Sequence, residues 1–257
     1  ASLTGLPVTQ NHFDLPVDAL GILRTDHPHY YRGKQDAESE TEFVDRIVGN
    51  LEAMIVREGP DTIAAFIAEP ITGASGVIVP PADYYQKVQA VLNRYNIMFW
   101  ADEVITGFGR TGSDLGCNTM GIESPDMMTF AKQLSSAYMP ISASAVRREM
   151  YDAMIEQTAT AGAFGHGYTY SGHPVACAVA LKVLEIYQRD SVFEKAAVTG
   201  QYMQKRLAEF TDHPLVGEVR GSGLLGAIEL VANKETGEPF VGGIVGGYAQ
   251  KMAQDEG

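Results

Sequence analysis

"NIMFWADEV" (Asn96–Val104) and "PDMMTFAK" (Pro125–Lys132) share one pattern: an apolar run without polar alternation that stops at an ionisable group. A strand with one wet face alternates and a strand buried on both faces does not, so both read as strands of a mainly parallel sheet covered by helices. A third run, "DTIAAFIAEP" (Asp61–Pro70), ends at Glu69 and Pro70 and leads into the glycine-rich loop "TGASG" (Thr72–Gly76). Helical patterns separate the runs. From Glu42 to Glu58, Val44, Ile47, Val48, Leu51, Met54 and Ile55 recur at helical spacing, and another helix is expected over Ala82–Tyr95. Alternation of helix and buried strand predicts an α/β fold.

Ligands of such sheets bind beyond the carboxyl ends of the strands, where Glu69, Asp102 and Lys132 each terminate a run. Lys132 is isolated, being the only Lys, Arg, Asp or Glu between Asp126 and Arg147. Solitude after an apolar run predicts partial desolvation, which penalises the ammonium and leaves a nucleophilic amine. Two plainer readings stand beside it: a lysine snorkelling from the end of a strand, and a salt bridge with Asp102. The sharper reading is a pyridoxal phosphate site, with the lysine as Schiff base and the aspartate paired to the pyridinium nitrogen.

The rest of the composition narrows the partners. With 257 residues the chain can build one large domain or two ordinary ones, and 45% hydrophobic and 20% charged residues suit a globular protein. A formal charge of −13 opposes binding to nucleic acid or to an anionic membrane surface. The longest span free of Lys, Arg, Asp and Glu, Gln157–Leu181, contains "GAFGHGYTYSGHP" and is too rich in Gly, His and Pro to cross a bilayer, so no membrane segment is expected. Cys117 and Cys177 read as core residues of a protein in a reducing compartment, taken to be the cytoplasm. The start, "ASLTGLPVTQ", has neither initiator Met nor signal-peptide pattern and looks like an interior cut.

Beyond Pro174 two helices are expected, "PVACAVALKVLEIYQRD" and "VFEKAAVTGQYMQKRLAEF", followed by glycine-interrupted strands in "GEVRGSGLLGAIELV". Residues 1–210 then read as a large cofactor-binding domain and 211–257 as the beginning of a small C-terminal domain. His166 and His173 lack carboxylate or thiolate companions at metal spacing and read as loop hydrogen-bonders, so no metal is expected. Arg110 in "GFGRTG" reads as a structural arginine that ties the loop after Asp102.

"FWADEVITGFGRTG", "SPDMMTFAKQLSSAYMPISA" and "HGYTYSGHP", in that order, resemble the class III aminotransferases of the fold-type-I pyridoxal phosphate superfamily, over about Leu3 to Leu230. The resemblance implies that Lys132 carries the cofactor as a Schiff base, that Asp102 partners the pyridinium nitrogen, and that Val104 packs on the ring. It implies that Thr169 reaches the cofactor phosphate of the neighbouring subunit, hence a homodimer with shared sites. The plainer readings are a core valine and a turn hydroxyl. The family's phosphate-binding Gly/Ser loop, ring-stacking aromatic and acceptor-binding arginine are expected outside residues 1–257.

Relatives acting on ornithine or 4-aminobutyrate carry Glu and Gln where this chain has Ala74 and Ile105. Loss of two polar groups predicts a smaller, more apolar substrate pocket, because an unpaired buried charge is costly. That pattern resembles the ω-transaminases, which pass nitrogen from an amine to pyruvate through a pyridoxamine form. The alternatives are an aminomutase of an amino-aldehyde and a non-catalytic aminotransferase-like scaffold.

Overall fold

The computed structural model describes residues 3–15 and 21–256. By residue contacts the chain divides into two compact units, Ala1–Phe66 with Pro80–Met98, and Ile67–Val79 with Phe99–Gly257.

In the first unit a single-turn helix, α1 (Tyr30–Gly33), precedes the long α2 (Glu40–Glu58). Ser39 and Glu42 close a capping box at the start of α2, each side chain bonding the other's backbone amide. Of the helical stripe read from the sequence, Met54 is only half-buried, whereas Val44, Ile47, Val48, Leu51 and Ile55 are buried, with Phe43 added to them. They meet Tyr84, Tyr85, Val88, Val91 and Leu92 of α3 (Tyr84–Arg94). Polar clasps join the same helices at their rims, Lys87 to Asp45 at 2.6 Å and the Tyr95 hydroxyl to Glu52 at 2.9 Å.

Four strands, β1 (Ala65–Ala68), β2 (Met98–Asp102), β3 (Met127–Phe130) and β4 (Ala143–Val146), form a sheet in the order of the sequence. β2 and β3 run parallel with Asp102 opposite Thr129, whereas β4 returns antiparallel at the edge. The three apolar runs are therefore strands of an α/β fold, as expected. They are less covered than an apolar run implies: Ile67 is 37% exposed and every residue of β3 is half-buried. The described residues cover these strands only in part.

In the second unit a short helix, α4 (Gly116–Met120), lies between β2 and β3. After β4 come α5 (Arg148–Ala161), α6 (Pro174–Arg189) and α7 (Val192–Ala208). α6 and α7 match the two helices read beyond Pro174. Next, β5 (Val216–Ser222) and β6 (Leu225–Asn233) pair as an antiparallel hairpin with β7 (Glu238–Pro239) at its side, and α8 (Ile244–Asp255) follows. No helix among the described residues is long and apolar enough to cross a membrane.

The glycines of "GSGLLG" serve packing. Gly223 turns the β5–β6 hairpin at φ +55° so close to the loop after β2 that a Cβ would lie 2.3 Å from the Thr111 carbonyl carbon. Gly200 of α7 approaches the same turn, and Gln204 one helical turn on donates to the carbonyls of Gly223 and Leu225 at 2.8 Å each. A Cβ on Gly200 would stand 2.7 Å from Gly223 Cα. Gly200→Ala therefore sets a helix-propensity gain of up to about 1 kcal/mol against an overpacking cost of about 1–3 kcal/mol. Net destabilisation is expected, read as a lower urea midpoint at unchanged slope; a higher midpoint would show that helix and turn are not in backbone contact.

Candidate active site

Strand order delivers three ionisable groups to one edge. Glu69 follows β1, Asp102 ends β2, and Lys132 stands three residues past Thr129, the β3 residue opposite Asp102. The Glu103 amide donates to the Thr129 carbonyl at 2.9 Å, carrying the β2–β3 pairing to the strand end. Burial pushes the Glu69 carboxyl above the usual carboxylate range; the Gly73 amide opposes this, the Asp102 charge adds to it, and the Lys132 charge opposes it. Glu69 thus senses both other members of the edge.

The turn after β2 decides which way its two acids face. Asp102 stays at the edge, where its Oδ1 accepts from the Val104 amide at 3.0 Å. Glu103, the next residue, points the opposite way as strand alternation requires, and is fully buried. Its carboxylate accepts from the Thr106 hydroxyl at 2.6 Å and from the Gly116 and Cys117 amides at 2.9 and 2.7 Å, at the start of α4. Burial, with Glu103 beside it, raises the Cys117 thiol well above its ordinary range and keeps it protonated. Cys117 is the core residue expected; Cys177 is only partly buried. The only sign of Glu103 in the sequence is the "DE" pair ending an apolar run, where one acid must turn inward.

Lys132 departs from expectation. It is exposed, not desolvated, because it stands beyond the sheet edge at the start of a single helical turn, Lys132–Leu134, whose following residues Gln133 and Leu134 are the ones half-buried. Its backbone takes φ +42°, a left-handed conformation that costs a non-glycine residue about 1–3 kcal/mol and persists only where its surroundings impose it. The surroundings are a tightly bonded loop: the Leu134 amide donates to the Ala131 carbonyl at 2.9 Å, and the Ser135 hydroxyl to the Met139 carbonyl at 2.7 Å.

The two residues read as pocket-lining belong to adjacent loops. A Cβ built on Gly73 would lie 2.4 Å from Ile105 Cδ1, so Ile105 packs on the loop that carries Ala74. Ala74 itself is exposed and Ile105 half-buried. Arg220 holds the far end of this loop, donating from Nε to the Gly76 carbonyl at 2.9 Å while Nη1 pairs with Glu218 and Glu229 at 2.8 and 2.6 Å. Val104 is half-buried at the Asp102 turn.

Thr169 lies apart from this edge in the sequence, in the exposed segment between α5 and α6. The segment is held by local bonds, the Tyr168 amide donating to Ser171 Oγ at 3.0 Å. His173 caps α6, accepting from the Ala176 amide at 3.4 Å, and His166 stacks edge-on between Phe164 and Tyr168, as loop residues would.

Residues 19–252 match the model of the family "Aminotransferase class-III". The chain is 51% identical over 240 residues to gamma aminobutyrate transaminase 3, chloroplastic, of Solanum lycopersicum, covering 93% of this chain and 46% of that protein. It is 49% identical over 256 residues to gamma aminobutyrate transaminase 1, mitochondrial, of the same plant (98% and 49%). It is 48% identical over 240 residues to vanillin aminotransferase of Capsicum chinense (93% and 52%). The omega transaminase of Pseudomonas jessenii, solved in complex with PMP, superposes with TM-score 0.96 at 49% identity, over 100% of this chain and 56% of that one. The chain thus spans about half the length of the relatives it matches.

The cytoplasmic location expected from the sequence is corrected by these names, which place similar proteins in chloroplasts and mitochondria. A low cysteine count reports a reducing environment and carries no address. The α/β architecture has its counterpart in solved transaminases of fold type I, and the chain belongs to the class III aminotransferases, whose cofactor is pyridoxal phosphate.

Proposed function

We propose that the full-length protein transfers an amino group from a primary ω-amine to a 2-oxo acid such as pyruvate. The observation that carries this reading is the β2–β3 register, which sets Asp102 and Lys132 at the same end of neighbouring parallel strands. The residues present fit the cofactor: an amine to hold its aldehyde, a carboxylate to pair with its ring nitrogen, and a strained lysine backbone of the kind that collects at functional sites. Lys132 would hold the group covalently, with Asp102 at the pyridine nitrogen, Val104 against the ring and Thr169 toward the phosphate of a neighbouring subunit.

When bound, pyridoxal phosphate supplies an electron-withdrawing ring conjugated to the bond being broken. The chain supplies the proton handling. Asp102 would hold a proton at the ring nitrogen, and the Lys132 amine would take the proton from the substrate's nitrogen-bearing carbon. Ketone or aldehyde leaves before the 2-oxo acid enters the same site, giving ping-pong kinetics.

A shared-site homodimer is part of the proposal. It is supported by the segment that carries Thr169, where Phe164, Tyr168 and Tyr170 are 62%, 78% and 81% exposed, an aromatic surface uncommon on a monomer. The division near Thr211 into a large cofactor domain and the start of a small one belongs to the same reading. The apolar-amine preference rests on Ala74 and Ile105. Vanillin, which one relative has in its name, is an aromatic aldehyde, whereas 4-aminobutyrate, in the names of others, carries a second charge.

Lys132→Ala is expected to abolish amino transfer in the full-length protein while leaving its urea midpoint in place; activity within about tenfold of wild type, a barrier change under about 1.4 kcal/mol, would remove Lys132 from this role. Asp102→Asn should keep bound cofactor yet slow turnover at least ~10²-fold, since a neutral amide does not hold the ring-nitrogen proton. Unchanged turnover at full occupancy would return Asp102 to the status of a loop residue.

Ala74→Phe tests the pocket. Overpacking costs about 1–3 kcal/mol, so kcat/KM for a bulky arylalkyl amine should fall at least about fivefold further than for a small alkylamine, with pyruvate in excess. Equal losses for both would mean that Ala74 supports its loop only. A wild-type preference for 4-aminobutyrate over aryl amines would overturn the apolar-pocket reading and leave Lys132 and Asp102 untouched.

A further inference from the structure

Gln133, the residue after the strained lysine, is held at both ends by elements distant in the sequence. Oriented so that its amide oxygen faces a donor, its side chain accepts from Arg110 Nε at 2.9 Å and Nη2 at 3.0 Å, a two-pronged grip from the turn after β2. Its backbone carbonyl accepts from the Tyr187 hydroxyl of α6 at 2.7 Å. The same hydroxyl bonds Ser136 Oγ, so Tyr187 spans the loop that follows Lys132. Neither anchor is loose. The Arg110 carbonyl accepts from the Leu224 amide at 2.9 Å, and the Tyr187 ring packs against Phe193 with centroids 5.5 Å apart.

These bonds answer a question the Lys132 backbone raises. A left-handed lysine at φ +42°, followed by Ser136 and Ala137 at +48° and +61°, relaxes toward ordinary conformations unless the next residue is fixed. Gln133 is the fixed residue. Rotating the Lys132 backbone back to negative φ would swing the Gln133 peptide and side chain away from both partners. The Arg110 fork suits this task, because a guanidinium presents two parallel donors where a lysine presents a single point charge.

We propose that Arg110 and Tyr187, acting through Gln133, are positioning residues that impose the backbone conformation from which Lys132 presents its amine at the sheet edge. Arg110 thereby belongs to the reaction as well as to the turn after Asp102. The inference rests on the amino-transfer reading for its kinetic consequence, though not for its structural one. Bonding at Gln133 and the conformation of residues 132–136 are properties of the chain alone.

Four forms of the full-length protein test it: wild type, Gln133→Leu, which removes the acceptor at similar size, Gln133→Glu, which keeps acceptor oxygens facing Arg110, and Arg110→Met. The first readout is amide hydrogen exchange in cofactor-free protein at Leu134, Ser135 and Ser136, whose amides bond within the loop at 2.9, 3.2 and 3.3 Å. Gln133→Leu and Arg110→Met should speed exchange there at least about tenfold while β2 amides keep wild-type rates, and Gln133→Glu should leave all rates near wild type. The second readout is steady-state kinetics with amine and pyruvate. The two disruptive variants should lose about tenfold or more in kcat with KM for the amine within about threefold, and Gln133→Glu should recover most of the loss.

Wild-type exchange in Gln133→Leu overturns the proposal, as does acceleration spread evenly over β2 and the loop, which would make Gln133 a prop of the fold at large. Failure of Gln133→Glu to restore slow exchange also overturns it. Absence of amino transfer by the wild-type protein toward every 2-oxo acid tried would sink the functional reading instead, and the exchange data would still decide whether the grip exists.

Discussion

A carboxylate with no access to water governs the region around the candidate site. Burying a charged side chain costs several kcal/mol unless hydrogen bonds replace its hydration, and Glu103 meets that requirement with one hydroxyl and two backbone amides. Those donors come from Thr106, Gly116 and Cys117, so satisfying Glu103 folds residues 103–117 back upon the end of β2. The close fit leaves no room for side chains at two positions. A Cβ at Gly107 would lie 2.9 Å from the Glu103 carbonyl oxygen, and one at Gly116 would lie 2.5 Å from Thr106 Cβ. Once the loop is fixed in this way, Asp102 has one direction left to face, and Val104, Ile105 and Arg110 are carried to set places beside it.

Much of this was legible in the sequence, for identifiable reasons. Apolar runs that end in charge mark strands that end at a ligand edge, and the amphipathic stripes of α2 and α3 specify which of their faces is buried. What escaped has physical causes too. α5 buries no residue, so its helical period left no apolar stripe to read. β4 is an edge strand of four small residues that takes its place by pairing with β3. The inward turn of Glu103 follows from the alternation of the strand, but two of the three partners that satisfy it come from a helix start more than ten residues on, a contact no local pattern announces. The apolar neighbours of Lys132 in sequence predict a desolvated amine. Neighbours in sequence are not neighbours in space, and past the strand end the chain turns the lysine outward.

Exposure of Lys132 shifts the weight of explanation from solvation to geometry. An amine in water has no environmental reason to stay in one place, and a lysine side chain carries about 2 kcal/mol of rotamer entropy when free. What the chain does constrain is the backbone, held left-handed by the bonds of residues 131–139. Fixing the point from which a flexible side chain departs narrows the volume its amine explores without burying it. In the role proposed for Lys132, a rigid root and a mobile tip would let one amine serve both to bind and to move a proton.

The same economy separates chemistry from selectivity. The groups assigned to proton handling stand on strand ends and on the turn that Glu103 fixes, whereas Ala74 stands on a loop tied down at its two sides by Ile105 and Arg220. Substitution at Ala74 can change which side chain of a substrate fits without moving Asp102 or Lys132, because the loop's fastenings lie at Gly73 and Gly76 on either side of it. Arg220 in turn is neutralised by Glu218 and Glu229, so its hold on the Gly76 carbonyl adds no net positive charge near the loop. At Ala74 and Ile105 a substrate bearing a second anionic group would find only aliphatic side chains. In the proposed reading, the residues that would select the amine are therefore distinct from those that would transform it, so selectivity and chemistry could vary separately.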